Sequence, residues 1–131
     1  MRTFVARQEQ AWNARELDRY FANFAPEAVL TDQARAADGR IVPYGSSTRA
    51  QAMIQARKFL KTSKSLDRAA VQQVRITPGG DGARVILFRT SRLETAGKVR
   101  NLCAVSVQTL ARSAGRLRTT AQTDTFVKCV R

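Results

Sequence analysis

The stretch FVARQEQAWNARELDRYFANFAPEAVLTD, residues 4–32, decides how the rest of the chain is read. Two short amphipathic helices lead directly into a strand that delivers a lone carboxylate, Asp32. In the second helix Leu17, Tyr20, Phe21 and Phe24 fall at i, i+3, i+4 and i+7, so one face is wholly apolar and has to lie against a larger element. Helix one is expected over Thr3–Asn13, with Phe4, Val5, Gln8, Ala11 and Trp12 along one stripe. Asn13 followed by Glu16 reads as a capping pair between the helices. Pro26 is expected to end helix two, and Ala28–Thr31 to form a strand ending at Asp32.

The larger element comes from the second half. From about Asp67 the chain alternates like an antiparallel sheet, in strands Asp67–Thr77, Ala83–Glu94, Lys98–Arg112 and Arg116–Val130. These are punctuated by Pro78-Gly79-Gly80-Asp81-Gly82, Thr95-Ala96-Gly97 and Ala114-Gly115. Between the two halves, Ile41–Gly45 reads as an edge strand. Ser46 or Ser47 then caps a third helix whose inner face is Ala50, Met53, Ile54, Arg57 and Leu60. Helices followed by long meandering strands predict an α+β domain, one domain over residues 1–131, with the helices on one sheet face.

Composition narrows the classes. A chain of 131 residues buries roughly two-thirds of its unfolded surface in one core. With 44% hydrophobic and 25% charged residues it is far from a disordered composition. Its longest uncharged run, Leu102–Ala111, is too short to cross a bilayer, and Arg7, Glu9 and Gln10 interrupt any secretory pattern, so a cytoplasmic location and no membrane are expected. The net charge of +13 attracts polyanions at low salt. The densest basic group, Arg57, Lys58, Lys61, Lys64 and Arg68, carries no interleaved aromatics, so nucleic-acid binding ranks behind a solvated basic surface. With two cysteines and no histidine, a protein-made metal site is not expected. The last turn sets a pairing that leaves Cys103 and Cys129 about three residues out of register, which predicts two reduced thiols.

The segments Trp12-Asn13-Ala14-Arg15-Glu16-Leu17-Asp18 and Phe24-Ala25-Pro26-Glu27-Ala28-Val29-Leu30, with Tyr44-Gly45 ahead of helix three, resemble the nuclear transport factor two-like superfamily. Its relatives include SnoaL-like cyclases and ketosteroid isomerase. The resemblance implies a cone-shaped fold in which a strongly curved sheet wraps around three helices to form a deep pocket, commonly a homodimer packed through outer sheet faces. It also implies a small hydrophobic, polyketide- or steroid-like ligand. Asp32 matches the general base of the isomerases. The oxyanion tyrosine's place on helix one is taken by Gln8, and that of the protonated aspartate on the penultimate strand by Val107. A histidine-dependent dehydratase is excluded, because the chain has none, and the Arg-x-Asp pattern of the epoxide-hydrolase branch is missing.

What remains is a carboxylate pair, Asp32 on the first strand and Asp124 on the last, which is similar to SnoaL-like cyclases in their use of an acidic residue on a late strand as the acid/base group. In that strand Leu117, Thr119, Ala121, Thr123, Thr125, Val127 and Cys129 form one alternating set, read as the outer face. Gln122 and Asp124 belong to the other, read as the inner face. Two carboxylates in a dry pocket split their pKa values into an acid and a base, which suits a cofactor-independent isomerase, cyclase or dehydratase. Alternatively, Asp32 caps a turn and Asp124 pairs with Arg118 or Arg89. Ligand contacts are expected from Gln8, Trp12, Tyr20, Tyr44, Met53, Arg57, Phe88, Gln122 and Phe126, with Phe59 beside them. A non-catalytic ligand-binding or dimerisation module and a basic polyanion binder are the competing functions.

Overall fold

The computed structural model describes residues 2–129, with Arg2 as backbone only. The order is α1 (Arg2–Asn13), α2 (Leu17–Phe21), β1 (Phe24–Arg35), β2 (Ile41–Thr48), α3 (Arg49–Leu60), β3 (Ser63–Ile76), β4 (Gly82–Thr95), β5 (Lys98–Ser113) and β6 (Arg116–Val127). The strands form one curled sheet in the order β2-β1-β6-β5-β4-β3. Every pairing is antiparallel except β1 with β6. That one parallel contact joins the N-terminal hairpin to the C-terminal meander, so Asp32 and Asp124, distant in sequence, become register partners. The result is an α+β cone-like fold, curled but not closed.

α1 buries Val5, Gln8 and Ala11 against the sheet. A second cluster of Phe21, Phe24, Ala25, Ala28 and Ala56 packs with Trp12, Leu17, Tyr20 and Met53. Its aromatic rings sit 4.9–5.7 Å apart, the range in which tilted and edge-on pairs attract.

Several boundaries differ from the sequence reading. Helix two stops at Phe21, and Phe24 opens β1, which runs through Pro26. A central strand tolerates this proline because the β1–β6 register breaks between Phe24 and Val29, where no ladder donor is needed. Asn13 does not cap α2. It clamps β3 instead, its amide donating to the Asp67 carbonyl (3.0 Å) and its oxygen accepting from the Asp67 N–H (2.8 Å). α3 is capped by Thr48, rather than Ser46 or Ser47, in a reciprocal box with Gln51. Its buried stripe is also rotated: Ala52, Met53 and Ala56 pack inward, whereas Ile54 is 65% exposed. The expected last strand ends early at Val127, and Val130 lies outside the described residues.

The thiol expectation is overturned, since Cys103 and Cys129 form a disulfide with Cα atoms 5.2 Å apart. The cause is a bulge. Ser113 faces Arg116, but a register shift between Thr109 and Leu110 inserts one extra residue in β6, so Cys103 faces Val127. Cys129 is then two residues beyond its partner's pair, on the same face, and the chain leaving the strand closes the remaining gap. The bulge also changes parity. Thr119, expected outside, is fully buried, as is Leu110 opposite it, while Gln122 still faces inward beyond the bulge.

The disulfide spans 26 residues, a loop whose crosslink contributes roughly 2–4 kcal/mol. The β5–β6 ladder already limits that loop, which argues for the lower end. Cys129→Ser should therefore lower the urea midpoint by an amount equivalent to about 2 kcal/mol, and reductant should do the same to the wild-type chain but nothing further to the variant.

Candidate active site

The hollow between the helices and the inner sheet face encloses a cavity of about 360 Å³, within the range of ordinary small-molecule sites. Its apolar wall includes Trp12 from α1, Tyr20 and Phe21 from α2, Phe59 from α3 and Phe126 from β6. Its polar floor comes from the inward-facing residues of three strands: Ser65 and Asp67 on β3, Arg89 and Ser91 on β4, and Gln122 and Asp124 on β6. Asp32 lines the β1 side.

At the floor, Arg89 is shared by two carboxylates. Its Nε lies 3.8 Å from Asp67 Oδ2 and its Nη1 3.5 Å from Asp124 Oδ2. The three side chains are only 14–17% exposed. Burial opposes the guanidinium's charge, but Asp124, then Tyr20, Asp67 and Glu9 outweigh it, and the Arg89 pKa is held above its ordinary value. Asp67 is fixed from behind by the Asn13 clamp. In front, the Ser65 hydroxyl donates to Asp67 Oδ1 (3.1 Å) and accepts from Trp12 Nε1 (3.1 Å).

A chain of amides holds Asp124. Gln122 Nε2 donates to Asp124 Oδ2 (3.3 Å), and Gln122 Oε1 accepts from Gln108 Nε2 (2.9 Å). Gln108 also donates to Gln8 Oε1 (3.3 Å), and Gln8 donates to Thr119 Oγ1 (3.4 Å). Gln8 is thus the buried start of a relay that ends at the site. It does not line the main cavity.

Asp32 is in a different state. It is exposed at the cavity mouth, in register with Asp124 on the neighbouring strand, where chains run about 4.8 Å apart. Among the described residues no cation pairs with it. Residual burial, then the Asp124 charge, raise its pKa, and Arg89 only partly counters them. Inside the cavity the Tyr20 hydroxyl is pushed up to about 12, first by burial and then by Asp124 and Asp67 against the opposing Arg89, so it stays a neutral donor at physiological pH.

Of the residues expected at the site, the structure brings Asp32, Asp124, Trp12, Tyr20, Gln122 and Phe126 to the cavity, together with Phe59. The others sit elsewhere. Tyr44 is 66% exposed and rests on Phe126 with ring centroids 6.2 Å apart. Met53 packs into the aromatic cluster. Arg57 leaves the α3 inner face and pairs with Asp18 at the surface (3.0 Å). Phe88 faces away from the cavity, in register with Ala70 and Val105 on the outer side. Val107 shares that outer side, and the inward residues beside it are Ser106 and Gln108. Asp67 and the bridging role of Arg89 escaped the sequence reading. Strand alternation alone misplaces them: extending the pairing of Ile76 with Ala83 would set Arg89 opposite Ala70, on the other face from Asp67, and only the register shift between Val71 and Gln73 brings the two to one face.

No protein-family model and no curated protein matches this chain. Solved structures do. The chain is similar to a ketosteroid isomerase-like protein from Erwinia carotovora atroseptica (TM-score 0.78, 15% identity, covering 98% of this chain and 94% of that one). It is also similar to a nuclear transport factor two-like protein from Shewanella oneidensis (0.68, 14%, 94% and 93%). A third is the beta subunit of a putative aromatic-ring-hydroxylating dioxygenase from Novosphingobium aromaticivorans (0.71, 15%, 98% and 87%). The fold is therefore that of the nuclear transport factor two-like superfamily.

Arg89 is the cation shared by two buried acids, so Arg89→Met should cost about 3–5 kcal/mol at neutral pH by leaving both without a partner. Adding Asp67→Asn and Asp124→Asn should recover much of that loss in chemical denaturation, whereas a triple variant no more stable than the single one would show that Arg89 acts through packing alone.

Proposed function

We propose that this protein binds a small, mainly apolar molecule in the cavity and moves a proton on it without a cofactor, with Asp32 as acid/base group. The observation that carries this reading is the Asp32–Asp124 pairing on adjacent strands at the wall of an open cavity. The two carboxylates divide the work. Asp124 is tied to Arg89 and Gln122 and acts as a fixed negative charge. Asp32 has no cationic partner among the described residues, lines the cavity, and has a basicity raised by burial and by the Asp124 charge.

In an isomerisation, ionised Asp32 removes a C–H proton next to a carbonyl and returns it at another carbon, so the protein ends unchanged. The transient enolate needs donors. Tyr20, protonated throughout, supplies one from the cavity wall in place of a donor at Gln8. The same groups suit an aldol cyclisation or a dehydration. A ligand-binding module without turnover would use the same cavity, but the pairing of a free and an anchored carboxylate favours the catalytic reading. The Cys103–Cys129 disulfide favours an oxidising compartment over the cytoplasm expected from sequence.

With a panel of cyclic β,γ-unsaturated ketones, followed by the absorbance of the conjugated product, Asp32→Asn should reduce turnover by about 10²-fold or more. Its melting temperature should change little because the side chain is exposed, and a large stability loss would mark Asp32 as structural instead. Turnover should rise with pH through a midpoint above the ordinary aspartate value of 3.8. Stability has the opposite sign. A folded pKa above the unfolded one favours the native state fully below the unfolded pKa, and that contribution is lost as pH rises through the folded pKa. Asp32→Asn should remove it.

A further inference from the structure

We infer that the ligand of this cavity is an organic amine, a compact aromatic or aliphatic body whose ammonium group seats against Asp32. The inference rests on the reading of the cavity as a ligand site and not on the proton transfer: the amine is bound rather than turned over, because an ammonium paired with Asp32 occupies the carboxylate that a proton transfer needs free. The cavity is lined by three carboxylates, Asp32, Asp67 and Asp124, and one cation, Arg89. Arg89 is already committed to Asp67 and Asp124 on the floor. Asp32 is left over, beside a second negative charge.

This is out of character for the molecule. The chain carries 23 Lys and Arg against 10 Asp and Glu, and α3, which forms one wall, ends in Arg57 and Lys58. Yet α3 turns small or neutral residues, Ala52, Gln55, Ala56 and Phe59, to the cavity, and Arg57 is drawn outward to Asp18. The hollow is a negative, aromatic-walled enclosure inside a strongly positive protein. A carboxylate or phosphate ligand would meet like charge at the floor and at the mouth. A neutral ligand would fit the apolar wall and leave Asp32 unpaired. An ammonium ion satisfies Asp32, reduces the repulsion with Asp124, and lies among the rings of Trp12, Tyr20, Phe59 and Phe126, whose faces attract cations.

Trp12 is the single tryptophan of the chain and lines the cavity, so its fluorescence reports occupancy directly. Three probes of similar size and different charge, 2-phenylethylamine, 2-phenylethanol and phenylacetate, are titrated at neutral pH into the wild-type protein and Asp32→Asn. The amine should bind about tenfold or more tightly than the alcohol, and phenylacetate more weakly than either. In Asp32→Asn the amine should fall to the level of the alcohol, with the alcohol unchanged. An alcohol that binds as tightly as the amine, or an amine preference that survives Asp32→Asn, overturns the assignment while leaving the cavity a ligand site. Phenylacetate binding best overturns it by the opposite sign. Failure of all three probes to change Trp12 emission overturns the amine assignment and the ligand-site reading together.

Discussion

One guanidinium decides what this molecule can be. Arg89 stands on the inner face of β4 between carboxylates from β3 and β6, and all three groups are nearly withdrawn from water. Two buried acids without a cation would protonate or force the sheet open, since a charge in a medium of low dielectric is costly until it is paired. With Arg89 present, the inner face of a curled sheet can hold polar chemistry at its floor while its walls remain aromatic. The cavity follows from that arrangement, because the floor does not fill with apolar side chains.

The rest of the polar interior is organised to keep the floor still. Asn13 grips the backbone of Asp67 from the end of α1, and Trp12, one residue earlier, reaches Asp67 through Ser65. From the other side Gln8 and Gln108 orient Gln122, which orients Asp124. One face of α1 therefore serves both acids: Gln8 at the root of one chain, Trp12 and Asn13 at the end of the other. The Asp124 carboxylate, which only accepts, sets the direction of this amide chain, because reversing Gln122 would turn its oxygen against a carboxylate oxygen. Asp32 is the one carboxylate of the cavity outside the scheme, and the proposed function rests on that freedom.

The architecture was legible in the sequence for a simple reason. The periodicities that report burial, 3.6 along α1 and 2 along β3 to β6, survive wherever an element has one wet and one dry face. Leu17, Tyr20 and Phe21 announce such a face, and so do the alternations around Asp67 and Leu87. Legibility fails where the geometry departs from regular alternation. A single inserted residue near Thr120 reverses parity along β6, hides Thr119, and brings Cys103 within reach of Cys129. Phe24 satisfies the helical spacing of α2 but is claimed by β1, because two residues of turn suffice to swing it onto the same apolar cluster. Asp32 could be named because it follows the first short strand after the helices, and Asp124 because it alternates with Gln122, which stays on the inner face beyond the bulge. Asp67 could not, because its importance depends on Asn13 and Arg89, and neither partner is implied by local pattern.

The distribution of charge separates two roles that composition alone merges. A net charge of +13 read as a bulk property suggests a protein that binds polyanions, yet the cations lie mainly on the outside. Arg75 and Arg84 are direct cross-strand partners, and Arg68 and Arg92 stand exposed on the same two strands. Like charges placed opposite one another cost stability, so their concentration on one face offers nothing to folding and weakens the case for that end of the sheet pairing with a second copy of itself. Inside, the sign reverses. Field lines in a cavity with low-dielectric walls are set by the few charges that line it rather than by the screened exterior. Under the proposed function, ligand selection falls to the three aspartates and one arginine that line the cavity, and the surplus of positive charge outside governs how the protein meets its surroundings.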